Sequence, residues 1–307
     1  MNPLDLSATP FAPLSAHLLD LLQALEGHDI PLILVGGFGL FLRRQIVVQR
    51  GIQTLYAVIP EPRATEDLDF ILKLQLLADV SKMEGLRATI DILGYEVVES
   101  AREYQFRKPG TVWGSQRDVK IDLMARTPEE GDPKLHIGGR RLMPQKHNNP
   151  LHAFRTPEAI AVEESLEEVA LSELCTSGQS YTGTIYLPVS FALYLMKLFA
   201  FRDEQIGRKG SNREQYARKH AIDLYTISAL LTAEEYDALS IYREKYESHP
   251  TVQEATTIVS EYFARRDSPG TIRLQEHPDF PAANQLEDFV GLLAEIFSAQ
   301  TTRLPSE

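Results

Sequence analysis

The sequence predicts a mixed α/β (α+β) fold in two domains: a mixed sheet flanked by helices in residues 1–150, and a mainly helical domain in residues 151–307. Three observations predict it. Short apolar runs that end at turn residues alternate with helical patterns in the first half. From residue 158 onward, most apolar residues recur at helical spacing. Between the halves, residues 132–157 are rich in Pro, His, Asn and basic residues and lack periodicity, which indicates a domain boundary.

The N-terminal half is predicted to begin with an amphipathic helix at residues 13–25 and a strand at 31–35 that ends at Gly36-Gly37. A helix can begin at residues 38–44. Residues 45–64 contain Pro60 and Pro62 and are predicted to be an insertion with a strand at 52–59. The other predicted elements are a helix at 77–93 and strands at 67–72, 95–98, 103–107 and 119–124.

The C-terminal half is predicted to be helical apart from one strand at residues 184–187, just before Pro188. Its helices are predicted from the spacing of apolar residues. They span residues 158–175, 189–204, 213–231, 233–246, 251–265 and 284–301.

Composition narrows the class of protein. The chain has 307 residues, is 43% hydrophobic and carries a net charge of -12, which fits a globular protein and argues against coating nucleic acid through overall charge. No apolar run is long enough to cross a bilayer, and the start lacks the basic segment of a signal peptide. The single Cys175 excludes an internal disulfide. We therefore expect a cytoplasmic protein without a membrane partner.

Charge is distributed unevenly in the second half. No Lys or Arg occurs between residues 156 and 197, whereas residues 197–219 have a surplus of basic side chains. The basic residues are Lys197, Arg202, Arg208, Lys209, Arg213, Arg218 and Lys219. This local surplus favours an anionic ligand.

Three aspartates are candidates for a metal site. Side chains alternate between the faces of a strand, so Asp67 and Asp69 project from one face and the apolar residues between and after them from the other. Asp122 emerges in the same way from the apolar run 119–123. Neighbouring carboxylates repel each other, and a divalent cation relieves that repulsion. The alternative interpretation is that these acids are solvated surface residues or helix caps.

The Gly36-Gly37 pair is a candidate phosphate site. It follows an apolar strand and opens a helix, so its backbone N–H groups are unshielded and lie at the positive end of the helix dipole. One alternative is a dinucleotide-binding turn, because Gly37-Phe38-Gly39 supplies half of that fingerprint, although Leu42 replaces its third glycine. The other alternative is a tight turn with close packing.

Lys197 lies in a helix that is apolar on nearly every side. A buried lysine is unfavourable unless an anion meets it, and the alternative is that its ammonium group reaches the solvent along the helix surface. Arg202 lies five positions further, about 140° around the helix. Lys197 and Arg202 can therefore bind the same triphosphate only if the ligand extends around the side of the helix.

Three segments together resemble the nucleotidyltransferases of the DNA polymerase beta superfamily. The segments are Val35-Gly36-Gly37, Arg63-Ala64-Thr65-Glu66-Asp67-Leu68-Asp69 and Ile121-Asp122-Leu123. In the second half, Lys197-Leu198-Phe199-Ala200-Phe201-Arg202 and Lys219-His220-Ala221-Ile222-Asp223-Leu224-Tyr225 resemble the signature segments of the AbiEii-type abortive-infection nucleotidyltransferases. The resemblance covers residues 30–230. The chain departs from the family in the longer spacing from its glycines to its Asp pair, and in His220, where the family usually has Asp.

The resemblance implies a set of functional residues. Metal-binding and catalytic roles fall to Asp67, Asp69 and Asp122, which would hold Mg²⁺ or Mn²⁺, and Asp122 is the candidate to assist deprotonation. Lys197 is implied to bind the triphosphate of an NTP and to act in catalysis. The implied nucleotide-binding set is Gly36, Gly37, Arg63, Thr65, Lys197, Arg202 and Asp223.

The implied activity is transfer of NMP from an NTP to RNA (tRNA included), a protein or a small molecule. The implied role is the toxin of a toxin–antitoxin or phage-defence system, with a cognate antitoxin as partner. Two alternatives stay open: an enzyme that modifies a small molecule such as an antibiotic, and a nucleotide-binding module without catalytic activity.

Overall fold

A computed structural model describes residues 2–112, 115–145, 151–207, 212–281 and 284–297. The chain divides into two compact units. Unit 1 contains the described residues of Met1–Gln49 and Ala64–Val189, and unit 2 those of Arg50–Arg63 and Ser190–Glu307. Each unit thus combines segments that are distant in the sequence.

Unit 1 is built on a mixed sheet of ten strands among the described residues. The strands are β1 (Ile33–Val35), β2 (Asp67–Ile71), β3 (Glu96–Val97), β4 (Gln105–Val112), β5 (Ser115–Arg126), β6 (His136–Gly138), β7 (Arg141–Met143), β8 (Ala153–Thr156), β9 (Glu167–Leu174) and β10 (Ser180–Leu187). Their order is β6-β7-β8-β5-β2-β1-β10-β9, and β4 pairs with both β5 and β3. β2 runs parallel to β5 and antiparallel to β1.

Four helices accompany this sheet: α1 (Ala12–Ala24), α2 (Gly36–Arg50), α3 (Leu74–Ala78) and α4 (Val80–Ile92). Buried leucines of α1, such as Leu14 and Leu18, join one hydrophobic core with Phe70 of β2 and Ile121 of β5. The predicted single helix at 77–93 is divided at Asp79, whose side chain accepts a hydrogen bond from the Lys82 N–H and so caps α4. The alternating burial of β2 and β5 leaves their other face available for polar groups.

The described part of unit 2 contains the helices α5 (Ser190–Ile206), α6 (Arg213–Leu230), α7 (Ala233–Tyr246), α8 (Pro250–Tyr262), α9 (Pro269–Gln275) and α10 (Leu286–Phe297). The predicted mixed α/β fold with a helical C-terminal part is confirmed. Among the described residues, no helix combines the length and apolarity that a membrane crossing requires. Arg208 and Lys209, and the predicted end of the last helix at residue 301, lie outside the described residues.

The largest error concerns residues 158–175, which were predicted to be a helix and instead contain β9. The burial of β9 alternates, with Val169 and Leu171 buried, because the strand pairs with β10 across a short turn. The acidic residues in the segment favour a helix locally, and the pairing overrides that preference. Together, β8, β9 and β10 extend the sheet, so the units divide at residue 189, whereas the sequence indicated 150.

The segment 50–63 belongs to unit 2 rather than forming an isolated insertion, and the strand predicted at 52–59 is wrong. The Leu55 N–H donates to the carbonyl of Leu231 at 2.8 Å. The Ala57 N–H donates to the side chain of Gln285 at 3.0 Å. The ring of Tyr56 packs 5.6 Å from that of Tyr225. The long spacing between Gly37 and Asp67 is therefore explained by a segment that completes the helical unit.

Candidate active site

Three acids of unit 1 share one face of the sheet. Asp69 lies opposite Asp122 in the parallel pairing of β2 with β5, and Asp67 lies opposite Lys120. Leu68 faces the core and is fully buried. Because partners in a parallel ladder project to the same side, the three carboxylates and Lys120 lie on a single surface, which we call the carboxylate face. Thr65, which is buried, accepts a hydrogen bond from the Asp67 N–H at 3.4 Å and fixes the start of β2.

Gly36 begins α2 next to this face. Its φ is 70°, and a Cβ atom placed on it would lie 1.8 Å from Oδ2 of Asp69. The residue before it, Val35, lies opposite Asp69 in the β1–β2 pairing. Gly37 follows, buried in the first turn of α2. Two features therefore require a glycine at position 36. Its backbone is left-handed, and the Asp69 carboxylate occupies the space that a side chain would need.

Substitution of Gly36 tests this crowding. The control is Gly94, which has a similar φ of 77° but no atom within 4 Å of an added Cβ. We expect Gly36→Ala to lower the free energy of unfolding by more than Gly94→Ala does. Gly94→Ala should lower the free energy of unfolding by only about 1–2 kcal/mol, the cost of placing a residue with a Cβ in the left-handed backbone conformation. Urea denaturation of both variants measures the difference. Equal losses would show that the Asp69 carboxylate is not held against Gly36.

Asp122 is the most perturbed acid of the carboxylate face. Burial raises its pKa to about 6, the nearby charge of Asp67 adds to the increase, and a hydrogen bond with Gln105 opposes it. Its Oδ1 is buried and has no hydrogen-bond partner among the described residues. A carboxylate oxygen in this state favours a cation or a proton.

The raised pKa of Asp122 predicts a dependence of stability on pH. A carboxyl group whose pKa rises from 3.8 to about 6 on folding stabilises the fold below pH 4, and that contribution is lost as the pH rises through 6. We expect Asp122→Asn to gain up to about 3 kcal/mol in unfolding free energy relative to the wild type between pH 4 and pH 7. Denaturation curves at both pH values measure this gain. A difference that stays constant with pH contradicts the assignment.

Lys120 was not among the predicted site residues, yet it lies within the carboxylate face. Its Nζ lies 3.4 Å from Oδ1 of Asp67. Burial alone would lower the pKa of Lys120, but the charges of Asp67, Glu66 and Asp122 raise it. Its position two residues before Asp122 in a strand was the signal that could have identified it.

The fit of a divalent cation depends on the remaining oxygens. Asp67 is paired with Lys120, and within the described ranges no three His, Cys, Asp or Glu side chains form a metal site. The donors that fit a cation are the oxygens of Asp69 and the unpartnered Oδ1 of Asp122, because Mg²⁺ and Mn²⁺ prefer carboxylate ligands and retain several waters. Asp67 could join them once its contact with Lys120 is broken.

Unit 2 contains a buried ion cluster made of Arg63, Lys197 and Asp223. Nε and Nη2 of Arg63 contact the two oxygens of Asp223 at 2.7 and 2.8 Å. Nζ of Lys197 contacts Oδ2 of Asp223 at 2.7 Å, and its side chain is 9% exposed. Burial alone would raise the pKa of Asp223, but the two cations hold it well below its usual value. The anion that a buried Lys197 requires is thus supplied within the unit.

Two histidines are close to the ion cluster. Burial lowers the pKa of His220 to about 3, and the charge of Lys197 adds to this effect. Burial also lowers the pKa of His277, which senses the charges of Asp223 and Arg63. Both rings are therefore neutral near pH 7. His277 had no signal in the local sequence pattern, because α9 and the turn after it were not predicted.

Arg202 belongs to a different set of contacts in unit 2. Its Nε donates to Asp203 at 3.0 Å, its Nη1 contacts Glu254, and its guanidinium lies 4.7 Å from the centre of the Phe199 ring. Lys197 and Arg202 therefore pair with different carboxylates. Of the predicted nucleotide-binding residues in this unit, Arg63, Lys197 and Asp223 are brought together, and Arg202 is not part of that cluster.

No protein-family model matches the chain, and no curated protein is similar to it in sequence. Among solved structures, it is similar to the solution structure of the antibiotic-resistance factor ANT(2'')-Ia, with 14% identity and a TM-score of 0.33, over 76% of this chain and 94% of that chain. It is also similar to the crystal structure of JHP933 from Helicobacter pylori, with 12% identity and a TM-score of 0.32, over 95% of this chain and 91% of that chain. Both similarities are distant.

Proposed function

We propose that the carboxylate face is the centre of a metal-dependent nucleotidyltransferase, which transfers NMP from an NTP to an acceptor hydroxyl. The observation that carries the proposal is the juxtaposition of Gly36, Asp69 and Asp122. A turn without a side chain, at the start of a helix, lies against the carboxylate of Asp69, and Asp122 is the partner of Asp69 in the neighbouring strand. Backbone N–H groups in such a turn suit a phosphate, and the carboxylates suit the cation that accompanies it.

In the proposed reaction, a bond forms between the acceptor oxygen and the α-phosphorus, and the bond from that phosphorus to the β-phosphate oxygen breaks. Pyrophosphate leaves, and the acceptor proton passes to a base. Bound Mg²⁺ or Mn²⁺ supplies charge neutralisation of the phosphates and lowers the pKa of the acceptor hydroxyl. Asp122 is the candidate to accept the proton, because its carboxylate lies in register with Asp69 on the carboxylate face. Gly36 and Gly37 would bind the triphosphate through backbone N–H groups at the start of α2.

The resemblance in sequence motifs assigns Arg63, Thr65, Lys197, Arg202 and Asp223 to nucleotide binding, and we retain this as part of the proposal. What supports it is that three of these residues come together in unit 2, where Arg63 and Lys197 each lie 2.7 Å from a carboxylate oxygen of Asp223. Arg202 has the weakest support, since two acids already hold it.

A second candidate is a nucleotide-binding module without transfer activity. The observation that favours it is the contact between Lys120 and Asp67 at 3.4 Å, because an ammonium group beside the carboxylate competes with a metal ion. The two candidates differ in one measurable property. A silent module binds NTP in the presence of Mg²⁺ but forms no new bond to an acceptor.

The acceptor and the biological role follow from the motif resemblance alone. We propose a toxin of a toxin–antitoxin or phage-defence pair that acts on RNA, a protein or a small molecule. The test is incubation with each α-labelled NTP and Mg²⁺, with cellular RNA, cellular protein and small hydroxyl compounds as separate acceptor pools. Labelling of one pool supports transfer and identifies its acceptor class. Binding of NTP without labelling of any pool supports the silent module.

A further inference from the structure

One end of the sheet in unit 1 is basic and is not used by the proposed transfer chemistry. Strands β6, β7 and β8 lie within residues 133–157, which contain no Asp or Glu, although the whole chain has a net charge of -12. Lys134 and Arg140 are exposed there, and Arg141 and Arg155 are half-buried. This concentration of positive charge favours an anionic partner. His152 adds no charge at pH 7, because burial lowers its pKa.

The strand register continues the carboxylate face toward this basic end. Phe154 of β8 lies opposite Met124 of β5, and Arg141 of β7 lies opposite Phe154. Met124 is two residues from Asp122, so their side chains share a face. At about 3.3 Å per residue along a strand and about 4.8 Å between strands, the backbones of Phe154 and Asp122 are about 8 Å apart.

Phe154 belongs to an aromatic pair that also carries an arginine. The Tyr104 and Phe154 ring centres are 5.5 Å apart, and the guanidinium of Arg141 lies 5.7 Å from the centre of the Tyr104 ring. Nη1 of Arg141 contacts Glu103 at 2.6 Å, which holds the guanidinium beside the rings. All of these side chains are half-buried and so keep part of their surface accessible. Aromatic rings next to arginine are a preferred platform for unpaired nucleobases.

We propose that Tyr104, Phe154 and Arg141, here called the stacking surface, bind an unpaired base of a single-stranded polynucleotide acceptor. The proposal rests on the proposed nucleotidyl transfer, and it names the acceptor class of that site. The base stacks on the aromatic pair, the phosphates contact the exposed Lys134 and Arg140, and the neighbouring nucleotide reaches the carboxylate face. A polycationic small molecule is disfavoured by the like charge of this segment.

The test is binding of labelled single-stranded RNA, single-stranded DNA of the same sequence and duplex RNA, measured by fluorescence anisotropy without NTP or metal. We expect the full chain to bind a single strand more tightly than the duplex. Phe154→Leu, which retains an apolar side chain, should weaken that binding roughly tenfold, whereas Phe154→Trp should retain it. A preference between RNA and DNA then identifies the sugar of the acceptor.

A matched control exists in the same unit. Arg141 lies over an aromatic ring and pairs with an acid, and Arg87 of α4 has the same two kinds of contact. The Arg87 guanidinium lies 5.2 Å from the centre of the Phe106 ring, and its Nε lies 2.9 Å from Asp91. Arg141→Gln should weaken binding of the single strand by roughly two- to fivefold, and Arg87→Gln should leave it unchanged.

The proposal is overturned if no single strand binds, if Phe154→Leu binds as the wild type does, or if the two arginine variants weaken binding equally. Because the assay contains neither NTP nor metal, it does not depend on catalysis. Single-strand binding with the expected variant effects, but without NMP transfer, would contradict the proposed function and leave the stacking surface supported.

Discussion

Replacement of Asp69 by asparagine is expected to reduce NMP transfer by roughly 10²–10³-fold, the usual effect of removing one electrostatic group from an active site. The Asp69 carboxylate occupies the position where a side chain on residue 36 would begin, and Asp69 lies opposite Asp122 in the sheet. Its carboxylate therefore lies at the glycine turn and in register with the second acid. The amide retains the shape of the side chain and removes its charge, so the loss should come from the chemistry rather than from folding.

Asp118→Asn is the matched control for this variant. Asp118 lies on β5, four residues before Asp122, and projects to the same side of the sheet. Its carboxylate pairs with Arg107 at 3.4 Å. Transfer by Asp118→Asn should stay within about twofold of the wild type, since the pair is exposed and contributes little. Steady-state rates at saturating NTP measure both variants. Similar losses in Asp69→Asn and Asp118→Asn would mean that the face as a whole, rather than Asp69, matters.

Replacement of Asp223 by alanine is expected to lower the free energy of unfolding of the chain by about 3–5 kcal/mol. The substitution removes the carboxylate that lies 2.7 Å from both the half-buried Arg63 and the buried Lys197. The ammonium group of Lys197 then stays buried without its carboxylate, which is far less favourable than the loss of a single surface contact. Urea denaturation followed by circular dichroism measures the change.

The control for Asp223 is Glu254→Ala, which removes an exposed partner of Arg202 and should change the unfolding free energy by about 1 kcal/mol or less. Adding Lys197→Met to Asp223→Ala should recover part of the lost stability, because the buried ammonium group that lost its carboxylate is then absent. If Asp223→Ala is no more destabilising than Glu254→Ala, the ion cluster does not support unit 2 as described.

The parts of the fold that follow local rules could be predicted from the sequence. The strand before Gly36-Gly37 and the helix after it follow from an apolar run ended by glycines. The helix Ala233–Tyr246 has the predicted bounds, because Thr232 and Glu235 form a capping box at its start. The carboxylate face could also be anticipated from the alternation of β2 and β5.

The rest depends on contacts between segments that are distant in the sequence. Residues 167–174 have a helix-favouring acidic composition, and only their pairing with β10 makes them a strand. Arg63 lies in a segment read as an insertion, and its partner Asp223 lies on α6. Local periodicity contains no information about such pairings. The same reason explains why the contact of Tyr104 with Phe154 was not predicted.

The central claim is that Gly36, Asp69 and Asp122 form a metal-dependent centre for nucleotidyl transfer. The measurement that tests it most directly counts pyrophosphate released and nucleotide incorporated in one reaction with labelled NTP, with Mg²⁺ or with EDTA. We predict one pyrophosphate per incorporated nucleotide with Mg²⁺, and loss of both products with EDTA or in Asp122→Asn. Equal product formation with EDTA, or by Asp122→Asn, would contradict the claim, as would the absence of incorporation from every NTP.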